Sequence, residues 1–216
     1  MRIDRRGMLV GMGGATGLAI TGRELFGTSA HAAGAPRRDL YHCEGCEAAF
    51  ERPLASMSSV VRLAGPNEPG ERMLLTGRVL TPDGTRPVPD VIVYAHHTNA
   101  PGLYAGGRAG TEWSMRHGRL RGWAKSDAEG RYAFDTIKPA PYPNRSMPAH
   151  VHLYIGEPGR RPYYIDDVVF DGEFGVTPQY RAAQEFRAGS GIVRLGRTGD
   201  GRLLARRDVR LERHPA

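Results

Sequence analysis

The chain has 216 residues, 40% of them hydrophobic, with 29 Gly, 16 Pro and a formal charge of +7. That length fits one domain around one core and leaves little room for a second catalytic domain. The charge comes almost wholly from arginine, Lys125 and Lys138 being the only lysines, and the absence of a dense basic run with interleaved aromatics argues against nucleic-acid binding.

Residues 1–32 read as an export signal. Arg5 and Arg6 precede Gly7-Met8-Leu9-Val10, a Gly- and Ala-rich apolar stretch follows, and Ala30-His31-Ala32 supplies a small-residue cleavage site. The paired arginines resemble a twin-arginine signal, which implies export of an already folded chain to a periplasmic or extracellular location. Arg23 and Glu24 interrupt the apolar stretch, which falls short of the roughly 20 apolar residues a spanning helix needs. A cleaved leader is therefore favoured over an anchor, with no stable membrane insertion after its removal.

Residues 33–70 read as an irregular N-terminal arm, with a short helix around Glu44 to Phe50. Within it, Cys43 and Cys46 form a Cys-x-x-Cys pair with no second such pair to complete a zinc site. In an oxidising compartment a local disulfide is the plainer outcome.

Strand signals begin near Met73. Met73 to Leu80, Val91 to His97, Leu120 to Ser126, Arg131 to Thr136, Ala149 to Ile155 and Tyr163 to Phe170 are predicted strands, and Ile192 to Arg197 with Arg207 to Leu211 would close the sheet. Asp127 to Gly130 reads as the turn of a hairpin between two of them. A helix is predicted over Pro178 to Phe186. Many short strands separated by turn residues predict an all-β fold, a single-domain β-sandwich over residues 71–216. The stretch from Thr98 to Arg119, with Gly102, Gly106, Gly107, Gly110 and Gly118, carries little periodicity. A loop that long in a compact domain is usually functional, and we read it as one wall of a site.

The sharpest chemical signal is His150-Val151-His152 on a predicted strand. Side chains two apart point to one face, so both imidazoles can reach one metal ion. Such a pair is equally compatible with surface histidines or core histidines with satisfied nitrogens. Pro139-Ala140-Pro141-Tyr142-Pro143 adds a tyrosine in a proline-stiffened turn shortly before the pair.

Several ordered motifs carry a resemblance. Thr76 to Leu80, Arg121-Gly122-Trp123, Asp127 to Phe134, Thr136 to Pro143 and Pro148-Ala149-His150-Val151-His152 are together similar to the catalytic domain of intradiol ring-cleavage dioxygenases. These comprise the protocatechuate and catechol dioxygenases and their exported relatives. The resemblance implies ferric iron, Fe(3+), held by Tyr104, Tyr142, His150 and His152, with Tyr104 closing Asn99-Ala100-Pro101-Gly102-Leu103-Tyr104. Two phenolates with two imidazoles suit Fe(III) better than Zn(II), because phenolate is a hard anionic donor. It further implies a small aromatic diol and O2 as reactants, a muconate-type diacid as product, and departure of Tyr142 from the metal to accept a substrate proton. Arg121 is the candidate substrate-facing guanidinium.

This sequence departs from the family pattern at two places. Met147 stands where members usually carry arginine, and Asp167 where a later strand usually carries glutamine. His96, His97 and His117 are candidates to line the pocket or brace a ligand, and equally to be structural. Trp113, Trp123 and Tyr154 read as core, and Asp166 and Asp167 fit either ligand orientation or a solvated strand edge. Two other functions stay open: a transthyretin-like β-sandwich binding module, since Gly77-Arg78-Val79 and Asp127 to Phe134 also resemble those domains, and a copper or zinc protein without oxygenase chemistry. A homo-oligomer would form through the sandwich or the arm, as the chain lacks a long dimerising helix.

Overall fold

The computed structural model describes residues 35–106 and 111–216. The leader at 1–32, its cleavage site, and Gly107 and Gly110 of the long loop lie outside the described residues.

Among the described residues, eleven short strands and two single-turn-length helices run from the end of the arm through the domain that follows it. They are β1 (Val60–Arg62), β2 (Arg72–Leu80), β3 (Ile92–His97), α1 (Glu112–Arg116), β4 (Arg121–Lys125), β5 (Arg131–Ile137), β6 (His150–Gly156), β7 (Tyr163–Phe170), α2 (Pro178–Ala182), β8 (Ile192–Val193), β9 (Gly196–Arg197), β10 (Leu203–Arg206) and β11 (Val209–Arg210). One sheet runs β1-β5-β2-β10-β9 with β11 also on β2, and the other runs β4-β3-β6-β7-β8. The two sheets face each other as a sandwich, the predicted all-β class. Leu75, Val79 and Phe134 from one sheet and Val93, Val151, Ile155 and Phe170 from the other are among the fully buried side chains of the core between them.

Strand parity decides what each face of the second sheet carries. Along β6, Val151, Leu153 and Ile155 belong to the inter-sheet core, which leaves His150, His152 and Tyr154 for the outer face. Along β3 the same alternation sends Val93 and Ala95 inward and Ile92, Tyr94 and His96 outward. Over Ile92, Tyr94 and Tyr154 that outer face is not solvated, because the arm covers it. A 3-10 turn at Cys46–Phe50 packs Cys46, Ala48 and Ala49 against Ile92, Tyr94, Trp123 and Tyr154. Double-sided burial explains why β3 is apolar or buried throughout instead of alternating. Cys43 and Cys46 are joined as a disulfide.

Four expectations are corrected. The Asp127–Gly130 turn forms, with Gly130 N–H donating to the Asp127 carbonyl at 2.8 Å, yet β4 and β5 do not pair as a hairpin. β4 pairs with β3, whereas β5 pairs with β2 and β1 in the opposite sheet, so the turn is a corner of the sandwich. Turn residues set the chain reversal but not the partner. Residues 192–197 are likewise split, β8 joining β7 in one sheet and β9 joining β10 in the other. Finally, the arm is not wholly irregular: β1 pairs in parallel with β5 over Val60 to Arg62. The helix after Thr177 is shorter than predicted. Thr177 caps it by accepting the Tyr180 N–H at 3.1 Å, and it stops at Ala182.

Candidate metal centre

The centre is built on the outer face of β6. His150 donates its Nδ1–H to the Pro148 carbonyl at 2.8 Å, and His152 donates its Nδ1–H to Asp167 Oδ1 at 2.9 Å. Both acceptors fix the tautomer, so each ring presents a bare Nε2 to the same point. A β-bulge supplies the second of these contacts. His150 pairs with Val169 and Val151 with Val168, but Leu153 pairs with Ile165, so Asp166 and Asp167 together oppose His152. The extra residue turns Asp167 toward the imidazole, while Asp166 accepts the backbone N–H groups of Phe186 and Arg187.

Two loops bring the phenols. Asn99 closes the turn before Tyr104, its side chain accepting the Leu103 N–H at 2.9 Å while its own N–H donates to the Leu103 carbonyl at 3.0 Å. The Thr98 hydroxyl donates to the Ala140 carbonyl at 2.7 Å and ties this turn to the proline-rich segment that carries Tyr142. Gly102 has φ +83°, and a Cβ there would lie 2.2 Å from the Pro141 carbonyl oxygen, so only glycine permits this approach.

Four donor atoms close a ring. Tyr104 Oη lies 2.8 Å from Tyr142 Oη, Tyr142 Oη 3.1 Å from His150 Nε2, His150 Nε2 3.1 Å from His152 Nε2, and His152 Nε2 2.9 Å from Tyr104 Oη. The predicted set of Tyr104, Tyr142, His150 and His152 is thus one cluster. Each phenol hydroxyl can donate to its neighbouring nitrogen, but the two nitrogens face each other with no proton between them. Opposed lone pairs at that distance call for a cation. One centred among four atoms so spaced sits roughly 2 Å from each, the length of metal bonds to imidazole nitrogen and hard oxygen. Burial pushes the Tyr104 phenol far above its ordinary range, reinforced by Tyr142, and burial also raises Tyr142 and lowers His150. Without a cation the donors stay neutral, and ionised phenols here need a strong positive charge. The residues fit a ferric ion.

Asp167 also has an oxygen within 4.8 Å of ligand atoms on His150 and His152. Its bond to the far side of His152 makes it the brace for that ring instead of a fifth member. The sequence offers Asp167 as either a brace or a solvated strand edge; its partner is visible only from the bulge.

The other candidates are placed as follows. His96 is sandwiched between His117, at 3.9 Å between ring centroids, and His152, at 4.5 Å. Burial, then the neighbouring histidines, hold it well below the usual range, and its Nδ1 has no hydrogen-bond partner among the described residues. His117 contacts the Tyr94 hydroxyl at 2.8 Å, and His97 points into the sandwich. Arg121 does not reach the donor ring: its guanidinium pairs with Glu51 at 2.6 Å and lies over Trp123. Met147 is half-buried, and the nearby Arg145 guanidinium stacks on Phe174 at 3.8 Å. Trp123 donates to the Ala48 carbonyl and belongs to the arm-covered cluster.

A cleft of about 330 Å³ opens beside His152 and Asp167. Tyr154, Tyr164 and Tyr180 line it, and the segment His42 to Glu44, stapled by the disulfide, closes one side.

Comparison with known proteins gives the family and the fold. A family model described as dioxygenase matches residues 48–179, which include all four donors. The chain is 28% identical over 154 residues to catechol 1,2-dioxygenase 2 of Acinetobacter lwoffii, covering 59% of this chain and 54% of that protein. It is 39% identical over 92 residues to the protocatechuate 3,4-dioxygenase beta chain of Burkholderia cepacia, covering 40% and 39%. The chain therefore spans about half or less of the length of these relatives. The dioxygenase domain of a dioxygenase and carbohydrate-binding fusion from Streptomyces sp. SirexAA-E superposes with a TM-score of 0.52 at 22% identity, over 76% of this chain and 95% of that one, which shows a shared fold. With a family model matched across more than half of its length, the chain belongs to the intradiol ring-cleavage dioxygenase family.

Proposed function

We propose that the protein is an exported, non-haem Fe(III) dioxygenase that cleaves a catechol-type ring between its two hydroxylated carbons, using O2 and giving a muconate-type diacid. The observation that carries this reading is the closed ring of two phenols and two imidazoles. Export is supported by the Arg5-Arg6 leader and by a Cys43–Cys46 disulfide, which persists in oxidising compartments.

Ferric iron supplies the charge that ionises phenols and catechols near neutral pH and the electron-accepting character that makes the ring reactive toward O2. The protein's part is positional. His150 and His152, locked by Pro148 and Asp167, hold two Nε2 lone pairs at a fixed separation. Tyr104, on a turn closed by Asn99, provides a phenol that cannot swing away. Tyr142, on its own proline-flanked segment, is the group free to accept a proton from a catechol hydroxyl. The cleft beside His152 receives the ring, and the arm keeps bulk water from the face behind it.

Iron content and colour test this. The purified protein should carry iron and absorb in the visible through tyrosinate-to-iron charge transfer, with the band shifted or lost in Tyr104→Phe and Tyr142→Phe. Oxygen uptake with catechol, protocatechuate or hydroxyquinol should follow iron content. A colourless, iron-free protein that consumes no oxygen with any catechol would sink the proposal.

A further inference from the structure

The cleft beside the donor ring has an unusual lining for a chain with a net charge of +7. Among the described residues that form it are four carboxylates, Glu44, Asp166, Asp167 and Glu185, and three tyrosines, but neither a lysine nor an arginine. We infer that this cleft selects catechols carrying an ammonium side chain over those carrying a carboxylate. The inference rests on the dioxygenase reading above and names the substrate class of that same site.

The surrounding arginines do not offer a counter-ion to an anionic substituent. Arg121 is paired with Glu51, Arg116 with Glu44 and Glu112, and Arg145 lies over Phe174. Arg187 comes nearest, its guanidinium 4.2 Å from the Tyr164 ring centroid, but its side chain is only 1% exposed, with Nη2 held by Asp39 and Nε by Glu185. A ring carboxylate entering the cleft would lose hydration without gaining a partner, which is costly for a charge.

An ammonium meets the opposite situation. Asp166 has no ion-pair partner among the described residues, and the two backbone N–H groups it accepts leave lone pairs on both oxygens. Glu44 is 74% exposed at its side chain, so its pair with Arg116 is solvent-screened and readily shared. The chain's overall positive field pulls the other way, but it is screened over about 8 Å at physiological ionic strength, whereas the lining acts at contact. The cleft's volume of about 330 Å³ lies at the lower end of small-molecule sites, roughly 300–1,000 Å³.

The test compares dopamine, catechol and protocatechuate on the iron-loaded protein. Oxygen uptake gives kcat/KM, and anaerobic titration of the visible band gives binding independently of turnover. Dopamine should exceed protocatechuate by at least about tenfold in both, with catechol between them. Asp166→Asn should shrink the dopamine-to-protocatechuate ratio about fivefold. Glu44→Gln, on an exposed side chain, should lower the ratio in the same direction without affecting folding. Equal constants for the two substituted catechols, or preference for protocatechuate, would overturn this inference and leave the dioxygenase reading intact. Failure of all three compounds to perturb the band or consume oxygen would overturn both.

Discussion

Asp167 Oδ1 accepts the Nδ1–H of His152 at 2.9 Å, on the side of the ring away from the Tyr104 hydroxyl. The contact exists because the β7 bulge sets two residues against one, and it links a strand irregularity to the direction of a metal ligand. Such braces fix ring orientation and raise ligand basicity, and their loss typically costs 10- to 100-fold in metal affinity. Asp167→Ala should therefore lower iron affinity by roughly that factor. Asp167→Asn keeps an acceptor and should lose less. Competition with a chelator measures both; equal affinity in Asp167→Ala and the parent would refute the bracing role.

Arg121 and Glu51 form an ion pair whose two side chains are each 13% exposed, beneath the arm and over Trp123. Removing one partner of such a pair strands the other, a loss of about 3 kcal/mol. Arg121→Ala should lower the melting temperature while leaving KM for catechol within about twofold. A large KM change at unchanged stability would instead restore the substrate-facing role that the sequence suggests for this residue.

Parity explains what could be read from sequence here. The long strands β2, β3, β6 and β7 declare themselves through β-branched and aromatic runs, and the two-residue spacing of His150 and His152 places both on one face before any partner is known. What stays hidden depends on pairing. β1 and β10 are short and lie in parallel with distant strands, so no local turn announces them. The Asp127–Gly130 turn looks like a hairpin because turn chemistry is local, while membership of opposite sheets is not. Arg121 and Asp167 show the same division within the site: their residue types suggest chemistry, but Glu51 and the bulge decide whom they serve.

His97 sits on the inner side of β3, its Nδ1–H donating to the Thr98 carbonyl at 2.7 Å and its Nε2 accepting the Thr136 hydroxyl at 2.7 Å. Burial, opposed by the Thr98 bond and aided by His150 and His152, lowers its pKa to about 4. An unfolded histidine titrates near 6.5, so between these values the unfolded chain binds a proton that the folded chain refuses. Stability from this group is present above about pH 6.5 and is lost as pH falls toward 4, by about 3 kcal/mol across the window. His97→Gln removes the titration. Urea unfolding at pH 7 and pH 4.5 should show a smaller pH-dependent loss in the variant than in the parent, and parallel profiles would refute it.

Gly102 is the point where the loop of Tyr104 meets the segment of Tyr142. Its φ of +83° disfavours a side chain by itself, and a Cβ would stand 2.2 Å from the Pro141 carbonyl oxygen, well inside contact distance. That carbonyl is backbone in a proline-flanked run, so it has little freedom to withdraw. The strain of a Gly102→Ala substitution, about 1 kcal/mol from conformation alone, must then be relieved by separating the two loops. The 2.8 Å approach of the two phenol oxygens depends on that contact. The sandwich core lies on the other face of β6 and should barely register the change. Gly102→Ala is accordingly expected to shift the melting temperature by only a few degrees, yet to weaken or shift the tyrosinate-to-iron band and reduce iron content. A variant with an unaltered visible spectrum at full iron loading would show that the phenols are positioned without this glycine.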